Sequence, residues 1–193
     1  MTTRDAILDG ALEVLRCGDP LTLDAVASRA GLTKPGLVHH FRTKEVLAVA
    51  VVEHVALRWL DGLRRYAGES PSPVERLRAY IRYTMTEDID ASDLALLADA
   101  KLSVQLVALW DSTLSPWIGE VIDASPADRA RYRAARLAAD GAWFDRALGV
   151  VSFSHDDLAD VLEVALSLTV EPQSPGGEPG PSAAPPSDRP AGS

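Results

Sequence analysis

The chain is predicted to be all-α, with an N-terminal three-helix unit that contains a helix-turn-helix and a C-terminal helical bundle behind it. Three observations carry this. Apolar residues recur at helical spacing through most of the 193 residues, and no stretch alternates convincingly at period two. Near the N-terminus, threonines and glycines stand where helix caps and a tight turn need them. From about Glu171 to Ser193 the composition shifts to Pro, Gly, Ser and Ala with no apolar periodicity. Such a tail cannot bury enough surface to offset its ordering entropy, so it is expected to be disordered.

The elements follow in order. Ile7, Leu8, Ala11, Leu12 and Leu15 give one apolar face to a helix from about Thr3 to Cys17, ended by Gly18-Asp19-Pro20. Thr22 caps a short helix through Arg29, Ala30-Gly31-Leu32 turns, and Thr33 caps a third helix through about His40. Thr43 caps a long helix, roughly Lys44 to Tyr66, with Val46, Leu47, Ala50, Val51, Val55 and Leu63 among its inward candidates. Further helices are expected at about Val74 to Thr86, Ser92 to Ala100, Val104 to Ile122, Pro126 to Val150 and Asp156 to Thr169. Pro116 is expected to kink or split one of these. Ser125-Pro126 suits a capped start with proline at the first helical position.

Composition limits the function classes. No run of about 18 apolar residues exists to span a membrane, and Met1 to Asp9 is unlike a secretory signal, so the expected location is cytoplasmic. The single cysteine, Cys17, allows no internal disulfide and reads as a small core or near-surface residue rather than a reactive thiol. Lysine stands only at positions 34, 44 and 101, a bias read as coding for a GC-rich genome. The net charge of −9 belongs wholly to the body: residues 1–50 hold six Lys/Arg and six Asp/Glu, the remainder 13 and 22. A neutral head on an acidic body is compatible with nucleic acid where the local face is basic.

The segment Thr22 to Phe41, TLDAVASRAGLTKPGLVHHF, carries the function. Two short helices joined by a glycine-containing turn make a helix-turn-helix. Val26 and Ala27 face inward, Ala30 is small enough for close approach, and Gly31 permits the positive φ of the reversal. Leu37 packs the second helix onto the first. Thr33, Lys34, Gly36, Val38 and His39 are then left to face outward near the helix start, the part that reads base edges in a major groove. Thr43-Lys44 begins another helix, whose free N–H groups and lysine suit a phosphate.

Residues 4–50 resemble the N-terminal domain of the tetracycline-repressor (TetR) family. The matching pieces are Ile7-Leu8 through Leu15, Thr22 through Ala27, Ala30 through Lys34, and the most specific stretch, Leu37 with His40-Phe41-Arg42-Thr43-Lys44-Glu45-Val46-Leu47. The resemblance implies a nine-helix protein that dimerises through its last two long helices. Two recognition helices would then meet successive major grooves, about 34 Å apart, on a pseudo-palindromic operator. A small molecule in the C-terminal domain would part the heads and release double-stranded DNA. It further implies that Thr33, Lys34, Gly36, Leu37, His39 and His40 face or flank the groove. Thr22 and Lys44 would hold phosphate, and Phe41 would anchor the core. The family commonly carries an aromatic, usually Tyr, where this chain has Val38, so one backbone contact is lost and a thymine methyl is the alternative partner. Pro35 is also unusual, but in the first turn its missing N–H matters little.

Other constellations weigh toward structure. His39-His40 diverge by about 100° on a helix and have no Cys or carboxylate spaced to help, so no metal is assigned. His155-Asp156-Asp157 reads as a helix start capped by Ser154 rather than an acid–base cluster. No glycine-rich phosphate loop, nucleophile elbow or HExxH motif occurs, and no cofactor is expected. Trp59, Tyr80, Tyr83, Trp110, Trp117, Trp143 and Phe144 are candidates to line an apolar pocket between bundle helices, against the alternative that they are core. Either Trp143 or Phe144 would close the pocket floor. Leu137, Ala138, Ala142 and Leu148 on one helix, and Leu158, Val161, Leu162, Ala165 and Leu166 on the next, are the dimer candidates.

The expected division is 1–45 for DNA binding, 46–170 for ligand binding and dimerisation, and 171–193 for the tail. The expected partners are operator DNA, a second copy of the chain and an unknown, largely apolar small-molecule effector. Two other readings stay open: a helical DNA-binding or protein-interaction module with no effector, and a helical-bundle enzyme.

Overall fold

A computed structural model describes residues 3–87, 92, 103–118, 123–149 and 154–170. The tail and, apart from Ser92, the helix expected at 92–100 lie outside the described residues. Among them every regular element is a helix: α1 (Thr3–Arg16), α2 (Leu23–Arg29), α3 (Lys34–His40), α4 (Lys44–Ala67), α5 (Pro73–Thr86), α6 (Ser103–Ile118), α7 (Pro126–Leu148) and α8 (His155–Ser167). No helix among the described residues is long and apolar enough to cross a membrane.

Local chemistry sets the helix starts. The hydroxyls of Thr22, Thr33 and Thr43 accept from the backbone N–H groups of Ala25, Gly36 and Val46 at 3.1, 3.3 and 3.2 Å. Each removes one of the four orphan donors of a helix N-terminus, typically for about 1 kcal/mol. Ser72 with Glu75 and Ser154 with Asp157 complete reciprocal capping boxes on α5 and α8. Ser154 and Asp157 are thus spent on helix geometry, as the sequence suggests. The serine bonds hold the carboxyls of Glu75 and Asp157 below their usual range. Gly31 takes φ 68° at the turn between α2 and α3, where a β-carbon would be strained.

Helix α1 packs on α2 and α4, and α2 on α3. In the body, α4 packs on α5 and α6, α5 on α6, α7 and α8, and α7 on α8. One connected apolar cluster runs from Ile7 in α1 to Ala165 in α8, so α4 is shared by the head and the bundle. His54 on α4 reaches Asp9 on α1 at 3.1 Å and adds a polar tie between them.

Three arginines fasten helix ends. Arg146 of α7 donates to the carbonyls of Thr84 and Glu87 at the end of α5, at 3.1 and 2.6 Å. Arg78 of α5 donates to Leu166 O and Thr169 Oγ1, and Arg131 of α7 to Ser167 O and Val170 O, at the end of α8. Cations here satisfy last-turn carbonyls and oppose the negative end of the helix dipole.

Some expectations are corrected. Val46, expected inward, is 50% exposed, because the buried face of α4 begins one residue later at Leu47. In α1, Ile7, Leu8, Ala11 and Leu12 are buried as expected; Val14 is buried with them, and Leu15 packs only partly buried. Helix α6 continues through Pro116 to Ile118 without splitting. Cys17 is exposed at the end of α1, with the Arg29 guanidinium 3.6 Å from its sulfur.

Candidate nucleic-acid interface and aromatic core

The head presents the start of α3 to solvent. Thr22, Thr33, Lys34, His39 and His40 are exposed, while Gly36, Val38 and Lys44 are partly buried. The hydroxyl oxygens of Thr22 and Thr33 accept the cap bonds, which does not use their O–H donors. Phe41 is 2% exposed, with the Arg4 guanidinium 5.5 Å above its ring. The His39 and His40 rings meet edge to face at 5.6 Å.

Leu37 does not belong with the groove candidates. Its side chain is 0% exposed, in the core with Val26 and Ala27, so it cannot touch a base edge. Its part is to hold α3 at its angle to α2. Lys34 is not a bare cation either: its ammonium lies 2.8 Å from the Asp24 carboxylate on α2. Both side chains are more than half exposed, so solvent weakens the pair and a phosphate can compete for the lysine. Sequence reading missed this partner because ten residues and a turn separate the two.

The aromatic candidates largely converge. Trp59 of α4 is 2% exposed and lies at the centre. It meets Tyr83, Trp110 and Trp143 edge to face at 5.1, 5.2 and 5.0 Å, and Tyr80 at 6.2 Å. Trp110 and Trp143 are near-parallel, 11° apart, at 6.3 Å. Four helices, α4, α5, α6 and α7, thus contribute rings to one group. Two candidates stand apart. Trp117 packs partly buried on the core two turns beyond Trp110, with no ring contact to the group among the described residues. Phe144 touches Trp143 at 5.1 Å yet is 46% exposed, so of the two floor candidates it is Trp143 that points inward.

Polar groups frame this core. The Tyr80 hydroxyl donates to Asp140 Oδ1 at 2.5 Å, and Arg136 holds the other carboxylate oxygen at 3.5 Å. Burial, and secondarily the Asp140 charge, push the Tyr80 phenol far above its ordinary range. The hydroxyl is therefore a fixed donor to the carboxylate. The indole Nε1–H of Trp143 is buried with no hydrogen-bond partner among the described residues.

The dimer candidates divide. Ala142 and Ala165 are 6% and 1% exposed inside the single chain, where their small side chains let helices approach, so they are removed from the interface set. Leu137 and Leu148 are 69% and 63% exposed. With Ala134, Gly141 and Phe144 they make an exposed stripe at helical spacing along α7. Ala138, Leu158, Val161, Leu162 and Leu166 are partly buried and pack against the core of the single chain. Val164 on α8, 62% exposed, is an addition the sequence pattern did not single out.

Comparison with known proteins agrees with this architecture. Residues 7–51 match the profile of bacterial regulatory proteins of the TetR family, and residues 74–169 match that of the tetracyclin repressor-like C-terminal domain. A transcriptional regulator from Rhodococcus sp. Rha1 superposes with a TM-score of 0.67 at 19% identity, covering 87% of this chain and 96% of that one. A TetR-like transcriptional regulator from Rhodococcus sp. RHA1 superposes with a TM-score of 0.63 at 19% identity, covering 86% and 93%. At that identity the likeness is one of fold. No curated protein matches the sequence. The two profile matches span the head and the bundle in their expected order, and the chain belongs to the TetR family of DNA-binding transcriptional regulators.

Proposed function

We propose that this protein is a homodimeric repressor, released from a pseudo-palindromic operator by a small, largely apolar effector. Residues 1–45 serve as the DNA-binding unit and residues 46–170 as the ligand-binding and dimerisation unit. The observation that carries the reading is the position of Trp59. It centres the aromatic group from within α4, the same helix whose first residue, Lys44, stands at the DNA-facing end. A molecule that rearranges the rings acts directly on the helix that supports the head. Thr33, Lys34, Gly36, Val38, His39 and His40 provide the groove-facing set, with Thr22 and Lys44 beside the phosphates. The exposed stripe of α7 and Val164 of α8 supply the contact with a second copy, since contiguous apolar patches of this kind mark association surfaces. Repression as the sign of control is taken from the family.

The test is binding of the full chain to duplex DNA from upstream of its own gene across a salt series. A complex whose affinity falls steeply with salt, and which a small molecule dissociates, is the expected result. Absence of any salt-sensitive complex overturns the reading. A stable complex that no small molecule affects favours a DNA-binding module without an effector.

A further inference from the structure

Resting on the groove-facing reading of α3 above, we infer that Arg4 and Arg42 are further DNA contacts, two guanidiniums that hold backbone phosphates where the C-terminal end of α3 meets the groove rim. The first fifty residues hold six basic side chains, and these are paired unevenly. Arg16 and Arg29 share the Glu13 carboxylate at 3.9 and 3.3 Å. Lys34 lies 2.8 Å from Asp24. Lys44, the phosphate candidate of α4, is partly buried. Arg4 and Arg42 are exposed and have no carboxylate partner among the described residues. The chain has a net charge of −9, yet it places no carboxylate against either.

The fold brings the two together. The Arg4 guanidinium stands 5.5 Å from the ring of Phe41, the C-cap of α3 and the residue before Arg42. Phe41 is 2% exposed, so the core fixes the ring, and the ring positions the Arg4 charge at the joint between α3 and α4 without neutralising it. Arg42 is set from both sides: the Phe41 N–H closes α3 on the Leu37 carbonyl, and Thr43 caps α4. The joint therefore carries an excess of positive charge that an external anion would neutralise. Its place on the head selects DNA backbone as that anion. A recognition helix reads base edges with its first residues, so its other end lies toward the phosphates that border the groove. Helix α3 has seven residues, about 10 Å of length against a major groove about 12 Å wide. With Lys34 at the groove-reading end, Arg42 stands at the rim. Guanidinium suits that position, because its planar fork matches two phosphate oxygens and keeps its charge at any working pH. The outward face of α3 gives no sign of either residue, since one lies in α1 and the other in a turn.

The test is fluorescence anisotropy of the full chain with duplex DNA from upstream of its own gene, over a salt series, for the parent and for Arg4→Gln, Arg42→Gln and Arg65→Gln. Arg65 is the control for lost net charge. It too is exposed with no carboxylate partner among the described residues, and it lies about 30 Å along α4 from Lys44, well beyond the screening length. Circular dichroism checks that each variant is folded. Arg4→Gln and Arg42→Gln are each expected to reduce the slope of log affinity against log salt by about 1.8, one phosphate contact from each protomer of the proposed dimer, on every duplex alike. Arg65→Gln is expected to leave the slope unchanged. A slope equal to the parent's in either Arg4→Gln or Arg42→Gln overturns the inference, as does a fall no larger than that of Arg65→Gln. A change in preferred base pairs with the slope intact marks base reading instead of phosphate contact and overturns it as well. Failure of the broader reading is visible in the parent itself, which then forms no salt-sensitive complex.

Discussion

The ring of Tyr83 rests on the bare backbone of Gly62: a β-carbon built on that glycine would stand 2.1 Å from Tyr83 Cε2. This contact sets how closely α5 approaches α4 beside the aromatic group. In an ordinary helix interior, alanine is favoured over glycine by up to about 1 kcal/mol. Here the sign reverses. Gly62→Ala is expected to destabilise the fold by about 1–3 kcal/mol through overpacking, measured by urea unfolding. Adding Tyr83→Leu should recover part of the loss, because the two sites are coupled.

In the proposed DNA complex, Asp24 competes with DNA for Lys34. Asp24→Asn removes the carboxylate 2.8 Å from the ammonium and one negative charge from the DNA-facing side. Since exposed pairs of this kind are worth about 0–1 kcal/mol, affinity for any duplex should rise a few-fold, with little change in thermal stability. Fluorescence anisotropy across a salt series reads this. Unchanged affinity would place Lys34 away from the phosphates and the groove.

Lys44→Ala should weaken binding to all duplexes alike and reduce the slope of log affinity against log salt by about 1.8, the signature of two lost phosphate contacts, one from each protomer of the proposed dimer. Changing Lys34 or His39 should instead alter which base pairs are preferred, as seen in selection from a randomised half-site. A Lys44 variant with altered sequence preference would contradict the phosphate assignment.

Tyr80 makes stability sensitive to alkali. Its folded pKa is raised above the unfolded value of about 10, so the folded state keeps a proton that the unfolded chain releases. The stabilisation is complete below pH 10 and is lost as the pH rises above it. Tyr80→Phe should flatten the decline in stability between about pH 9 and 11, relative to the parent. An identical slope in both proteins would exclude Tyr80 as the source.

Leu137→Glu, on the exposed stripe of α7, should convert a dimer to a monomer in light scattering without unfolding the chain. Ala142→Glu differs in kind: it buries a charge within the single chain and should impair folding itself. Persistence of the dimer in Leu137→Glu would move the interface elsewhere.

These cases show what was legible in the sequence. Helix starts at Thr22, Thr33, Thr43, Ser125 and Ser154 could be read because a cap is a bond over three residues. The turn at Gly31 could be read for the same reason. Facing was harder. Neighbouring helical positions differ by about 100°, so Val46 and Leu47, or Val14 and Leu15, are separated only by what packs on them. Ala142 and Ala165 fit an interface stripe as well as a core contact, and only the surrounding helices decide between them. Lys34 with Asp24, and Arg146 with the carbonyls of α5, join residues distant in sequence, so no local pattern announces them.

The unbroken course of α4 has a mechanical consequence. Fifteen residues separate Lys44 from Trp59, about 22 Å at 1.5 Å per residue. Within that span no proline or glycine interrupts the hydrogen-bond ladder. A rod of that length acts as a lever: a tilt of about 10° with its pivot near Trp59 sweeps Lys44 through about 4 Å, by the same rise per residue. That exceeds the length of a lysine–phosphate hydrogen bond of the kind proposed for Lys44. Under the proposed function, the rings would need to shift only slightly for the far end of the lever to leave its hold.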